Sequence, residues 1–154
     1  MILKADFEKV LKLWAKGIIK LGSIKDDVVV LKKEASDFID NLYAYDDKNI
    51  VLFKPTKASV VQFRLDKRGA MSYFIGGDKE YAEDKGFALH PWKRIRFEHV
   101  AYKEEENRAL VIGNYYFLDN YNVEVKAEYT FGFIKINDTI KIDLHHSSLP
   151  YTNK

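Results

Sequence analysis

Cysteine is absent from the 154 residues, which excludes disulfides, thiolate-bound zinc and a cysteine nucleophile in one step. The redox compartment is left undecided. No apolar run approaches the roughly 18 residues of a membrane span, and the N-terminus, Met1-Ile2-Leu3-Lys4-Ala5-Asp6, lacks the continuous apolar segment of a secretory signal. No membrane association is expected, and the cytoplasm is the expected setting. A dominant charge is missing as well. Lys and Arg at 25 against Asp and Glu at 23 give a formal charge of +2, too small to imply a nucleic-acid partner. The most basic stretch, Lys93-Arg94-Ile95-Arg96, reads as a solvated strand face broken by a core position. No helix with Lys-Ser or Lys-Thr follows Gly76-Gly77, so there is no phosphate loop. The four histidines have no metal-ligand spacing, and neither a metal nor a cofactor is expected.

What is abundant is aromatic: ten Tyr, ten Phe and two Trp in a chain that is 47% apolar and 31% charged. Such side chains either line cavities or fill a large core. The length suits one domain spanning 1–154.

Phe7, Val10, Leu11, Trp14, Ile18 and Leu21 fall at helical spacing, with Asp6 as the candidate N-cap and Gly22 placed to end the helix. A second helix begins near Asp26 or Asp27 and carries Leu31, Ala35, Phe38, Ile39 and Leu42 on one face. Short strands are expected over 50–54, stopped by Pro55, and over 60–65, and a short helix over 70–75. A long surface connection covers 76–91. From Lys93 onward the pattern is a four-stranded meander, about 93–102, 108–118, 122–135 and 139–148, with Asn137-Asp138 as one of its turns. Helices first and an antiparallel sheet last make an α+β domain with the helices packed on one face of the sheet.

The last strand is the most informative segment. Ile140, Ile142 and Leu144 alternate with Thr139, Lys141 and Asp143, so a period of two places His146 and Ser148 on the apolar face, with His145 and Ser147 opposite. On the preceding strand Val123, Val125, Ala127, Tyr129, Phe131 and Phe133 share the inward face. For 108–118 the pattern allows either set inward. An imidazole at the end of a row of core residues suggests a small-molecule cavity.

The ending Asp143-Leu144-His145-His146-Ser147-Ser148-Leu149-Pro150, preceded by Glu128-Tyr129-Thr130-Phe131-Gly132-Phe133 and by two N-terminal helices, resembles the nuclear transport factor 2-like superfamily. The resemblance is to its branch of polyketide cyclase-like proteins and the calcium/calmodulin-dependent kinase II association domain. It implies a cone-shaped domain whose bent sheet wraps a cavity, usually in a dimer or larger oligomer, with members that are enzymes and members that only bind or assemble. It also favours Asn114 and Tyr116 as the inward set.

Asn114, Tyr116, Tyr129, Phe131, His146 and Ser148 would then form one wall of a ligand pocket, completed by Trp14, Tyr43, Trp92 and Phe97. In that arrangement His146 is the candidate catalytic base, with Tyr and Asn donors holding an oxyanion in a cyclase or isomerase-type reaction; the alternative is a satisfied core histidine. The rival function is a non-catalytic assembly module whose cavity is plugged by Phe and Tyr. Outward placement of Ala109, Val111, Tyr115 and Phe117 would leave an apolar patch, and pairing it across a two-fold axis gives a homodimer through the convex sheet face.

Overall fold

The computed structural model describes residues 1–46 and 48–153. Helix α1 spans Lys4–Ser23 and α2 spans Val28–Leu42. Asp6 does not cap α1; it lies inside the first turn and accepts the Leu3 N–H at 2.8 Å. Asp27 caps α2 by accepting the Val30 N–H at 3.2 Å. Both helices bury the stripe that their spacing marks out, from Phe7 to Leu21 and from Leu31 to Leu42.

The strands are β1 (Leu52–Lys54), β2 (Trp92–Glu104), β3 (Arg108–Asp119), β4 (Glu124–Ile136) and β5 (Thr139–Ser148), with α3 at Lys67–Ile75 and two short 3-10 turns at Lys79–Tyr81 and Phe87–Leu89. They form one curved sheet in the order β1-β5-β4-β3-β2, antiparallel except for β1, which runs parallel to β5. The hairpin between β4 and β5 turns through Asn137 and Asp138, both at positive φ, 48° and 65°, as a tight hairpin requires. No helix among the described residues is long and apolar enough to cross a membrane.

Residues 60–65 form no strand. Val60, Val61, Phe63 and Leu65 face solvent while Arg64 is buried, the reverse of the hydrophobic pattern. The guanidinium decides this. It makes a paired contact with Asp84 at 2.7 and 2.8 Å and donates to the Val61 and Gly69 carbonyls, so the segment is organised around one satisfied buried ion pair. Glu83 adds a second clamp by accepting the Ser59, Val60 and Val61 N–H groups, and these bonds hold its carboxyl down to about 2.

Two assignments of facing are reversed, and both decide where the site lies. On β3 the buried residues are Ala109, Val111, Tyr115 and Phe117, not Asn114 and Tyr116. The cause is cross-strand pairing. Val111 lies opposite Phe131, Tyr115 opposite Ala127 and Phe117 opposite Val125, and directly opposed residues share a face, so the inward set of β4 draws the odd-numbered residues of β3 inside. The apolar patch on which the expected homodimer rests is therefore core. Gly113 belongs to the same inward row, and a Cβ there would come within 2.0 Å of the Glu98 carbonyl oxygen.

On β5, Ile142 is fully buried, but the next inward residues are His145 and Ser147, with His146 exposed and Leu144 only half-buried. The pairing passes from Phe133 opposite Ile142 to Gly132 opposite Leu144, leaving Asp143 without a partner. This is a β-bulge, and one extra residue exchanges the two faces for the rest of the strand. Arg108 anchors Asp143 through paired contacts, one of them at 2.9 Å. Gly132 leaves room for the bulge, since a Cβ there would stand 2.9 Å from the Leu144 Cβ and 3.1 Å from the Asp143 carboxylate. Gly132→Ala should cost about 1–3 kcal/mol, the usual penalty for overpacking. Urea denaturation checks this, and a loss below about 0.5 kcal/mol would mean that the bulge does not depend on the missing side chain.

Candidate active site

The bulge delivers His145 and Ser147 into the concave side of the sheet, where both are nearly inaccessible. His145 lies between two phenyl rings, Phe131 with centroids 4.1 Å apart and Phe53 at 4.8 Å, each within 23° of parallel. Its Nδ1 is 2.9 Å from the Tyr43 hydroxyl and its Nε2 is 3.1 Å from the Tyr115 hydroxyl. The Trp14 indole N–H donates to Tyr43 at 3.0 Å. At the other end Tyr115 donates to Ser147 at 2.5 Å, and Ser147 is 2.5 Å from the Thr56 hydroxyl.

Distant elements supply these groups. Trp14 comes from the middle of α1, and Tyr43 from the end of α2, where an isolated parallel bridge ties it to Ile142. Thr56 follows the short β1, whose parallel pairing sets Lys54 beside His146 and carries the next residues alongside Ser147; the Lys54 ammonium also donates to the Ser147 carbonyl at 3.1 Å. Tyr73, on α3, accepts the Lys57 N–H at 3.3 Å on its hydroxyl.

The side chains that line the innermost void carry no charge. Burial pushes the His145 imidazole down to about 3, with nearby His146 a secondary cause, so the ring is neutral through the physiological range. Burial also raises the phenols of Tyr43, Tyr73 and Tyr115, which stay protonated. A void of about 10 Å³ among Trp14, Thr56, Tyr73, Tyr115, His145 and Ser147 is about the room one water needs. Tyr73 and Phe87 also line an open cleft of about 350 Å³, whose rim bears Lys57, Lys85, Glu83, Asp84 and His90. The hydroxyl-lined void and the charged cleft thus share the walls formed by Tyr73 and Phe87. Among the described residues, no group of three His, Cys, Asp or Glu side chains is placed to hold a metal ion.

The ten expected pocket residues divide in two. Trp14, Tyr43, Tyr129, Phe131 and Phe97 face the concave side, and Trp92 packs at the cleft, donating its indole N–H to the Phe87 carbonyl at 2.9 Å. Of these, Trp14, Tyr43 and Phe131 touch His145, while Tyr129 is 2.5 Å from the His99 ring nitrogen. Asn114, Tyr116, His146 and Ser148 belong to the convex face, because of the β3 pairing and the β5 bulge. Asn114 and Tyr116 bond Glu98, and Ser148 bonds Glu128. His146 is thereby removed as the candidate base. Thr56, Tyr73, Tyr115, His145 and Ser147 went unrecognised in the sequence pattern, although isolated Gly132 within a strand is the ordinary sign of a bulge.

The family model described as metal-independent carbonic anhydrase matches residues 5–149. A metal-independent carbonic anhydrase from Nostoc sp. strain PCC 7120 is 35% identical over 144 residues, covering 91% of this chain and 70% of the relative. The crystal structure of a cyanobacterial iota-carbonic anhydrase complexed with bicarbonate superposes with a TM-score of 0.94 at 33% identity, over 99% of this chain and 94% of that one. A nuclear transport factor 2-like protein of unknown function from Shewanella oneidensis MR-1 shares the fold at a TM-score of 0.56 and 16% identity, over 94% of this chain and 97% of that one. The expected α+β architecture is therefore correct, and the likeness to the Shewanella protein shows a nuclear transport factor 2-like fold.

A depressed imidazole makes stability depend on pH. As pH falls below 6.5 the unfolded chain binds a proton at His145 that the folded chain refuses until about 3, so its contribution is complete above 6.5 and lost on acidification. Half-buried His99, also lowered chiefly by burial, acts in the same direction. Between about pH 6 and 5, unfolding free energy should drop by up to about 1.4 kcal/mol per pH unit on account of His145. His145→Asn should remove one proton from that slope, measured by urea denaturation across pH; an unchanged slope would show that the ring is not held neutral.

Proposed function

The chain belongs to the metal-independent carbonic anhydrase family, and on that premise we propose that it interconverts carbon dioxide and bicarbonate at the inner void, with Thr56, Tyr115 and Ser147 as the hydroxyl groups that meet substrate. The single observation that carries this reading is the convergence of those hydroxyls with neutral His145 in a site without charge. Carbon dioxide is apolar and enters a wall of Trp14, Phe53, Phe74 and Phe117 without losing strong hydration. In the hydration direction a water oxygen forms the new bond to carbon while one C=O electron pair moves onto oxygen. Hydroxyl donors fixed beforehand stabilise that growing negative charge, which is the main source of acceleration in such sites. The water's proton passes to a second water entering from the cleft, giving bicarbonate and a hydronium ion that is carried out to solvent. This replaces the cyclase or isomerase-type reaction, and the polar convergence argues against an assembly module with a merely plugged cavity.

Room is the constraint. Bicarbonate has four heavy atoms, more than a void of about 10 Å³ accepts, so its entry requires the Thr56 and Ser147 hydroxyls to exchange their mutual bond for bonds to the anion. Lys57 and Lys85 at the cleft rim supply attraction for an anion approaching from solvent.

Stopped-flow measurement of carbon dioxide hydration tests the proposal. Activity should persist after exhaustive dialysis against a chelator, and Ser147→Ala or Thr56→Val should each lower kcat/KM by about 10²-fold, the loss typical of removing one oxyanion donor. Activity that vanishes with chelation and returns with zinc would refute it, as would a Ser147→Ala protein of unchanged rate.

A further inference from the structure

The relay through His145 has a polarity that one residue dictates. An indole N–H can only donate, so Tyr43 must accept from Trp14 at 3.0 Å. Tyr43 is wholly buried, and the other polar partner of its hydroxyl among the described residues is His145 Nδ1 at 2.9 Å, so its own proton goes there. Nδ1 is then an acceptor. A neutral imidazole keeps one N–H, which must be on Nε2, aimed at the Tyr115 oxygen 3.1 Å away. Tyr115 donates onward to Ser147, which shares a hydrogen bond with the Thr56 hydroxyl beside the void.

We propose that Trp14 is a positioning residue that fixes the direction of this chain, holding His145 as the Nε2–H tautomer and so making it a permanent donor and not the proton acceptor of the reaction. The catalytic consequence rests on the carbonic anhydrase reading; the tautomer is a property of the resting protein and does not. With the opposite tautomer, Tyr43 would face two N–H donors and its own proton would point into the rings of Phe38, Phe53 and Phe74. An unsatisfied buried hydroxyl of that kind disfavours the alternative by roughly ten- to a hundredfold. A proton cannot be relayed inward from Thr56 to His145 by reversing the chain, because reversal ends at an indole that has no acceptor. The polarity serves the anion instead: once the Thr56–Ser147 bond opens, Ser147 presents bicarbonate with an O–H backed by His145 and Tyr115, successive donors that polarise one another.

Long-range ¹H–¹⁵N correlation of the labelled, full-length protein at neutral pH reads the tautomer directly. His145 should show a protonated Nε2 and an unprotonated Nδ1. Trp14→Phe should yield a mixture of tautomers and raise KM for bicarbonate about tenfold, with a smaller change in kcat. Tyr43→Phe removes the same instruction with less loss of volume and serves where Trp14→Phe does not fold. A protonated Nδ1 in the native protein, or a pure Nε2–H form retained in whichever of the two variants folds, would overturn the proposal. The expected tautomer in a protein without hydration activity would uphold the relay and overturn the catalytic reading.

Discussion

The site depends on one extra residue. Asp143 has no partner on β4, and because a strand presents alternate faces, its insertion exchanges inside and outside for everything that follows on β5. Upstream of it Ile142 packs in the core; downstream His145 and Ser147 do. Without the bulge, the same strand would turn His146 and Ser148 inward. Its two supports are of different kinds. Gly132 contributes by lacking a side chain, and Arg108 contributes by holding the displaced carboxylate on the convex side. Sheet geometry, hydrogen bonding and the identity of the buried imidazole are thus one structural decision.

Burial then governs the chemistry. The sandwich of Phe53 and Phe131 keeps His145 neutral, and phenols removed from water keep their protons, so the interior offers hydrogen bonds without fixed charge. Such an interior suits the proposed reaction, in which an apolar gas enters and an oxyanion forms. Near the void, the charged groups belong to the cleft and to the buried Arg64–Asp84 pair behind it. There Arg64 and Asp84 organise the walls, and the lysines at the rim meet solvent. The division follows from the cost of burying an unpaired ion: Arg64 and Asp84 are buried only because each satisfies the other, and the unpaired charges stay at the open cleft.

Much of the architecture was legible because helical periodicity and alternation report burial directly. Phe7 to Leu21, Leu31 to Leu42 and the inward row of β4 from Val125 to Phe133 lie where spacing puts them, while Val123, expected in that row, is exposed before the strand begins. The site was not legible, for three physical reasons. Register between β3 and β4 is a pairing property, and the sequence of β3 alone, with Tyr115 and Tyr116 adjacent, does not contain it. The bulge resets alternation within a strand, and its sign was a single glycine on the neighbouring strand. Thr56 and Tyr73 reach the site through the parallel pairing of β1 and the packing of α3, contacts distant in sequence from His145. In 60–65 a buried ion pair overrode an apolar pattern that read as a strand.

Soaking crystals with bicarbonate tests most directly whether the bulge creates a substrate site on the concave face. The anion should appear between the Thr56 and Ser147 hydroxyls, each within about 3 Å of one of its oxygens, with their mutual bond broken. Bicarbonate bound beside His146 on the convex face, or held only by the lysines of the cleft while Thr56 and Ser147 stay joined, would contradict it.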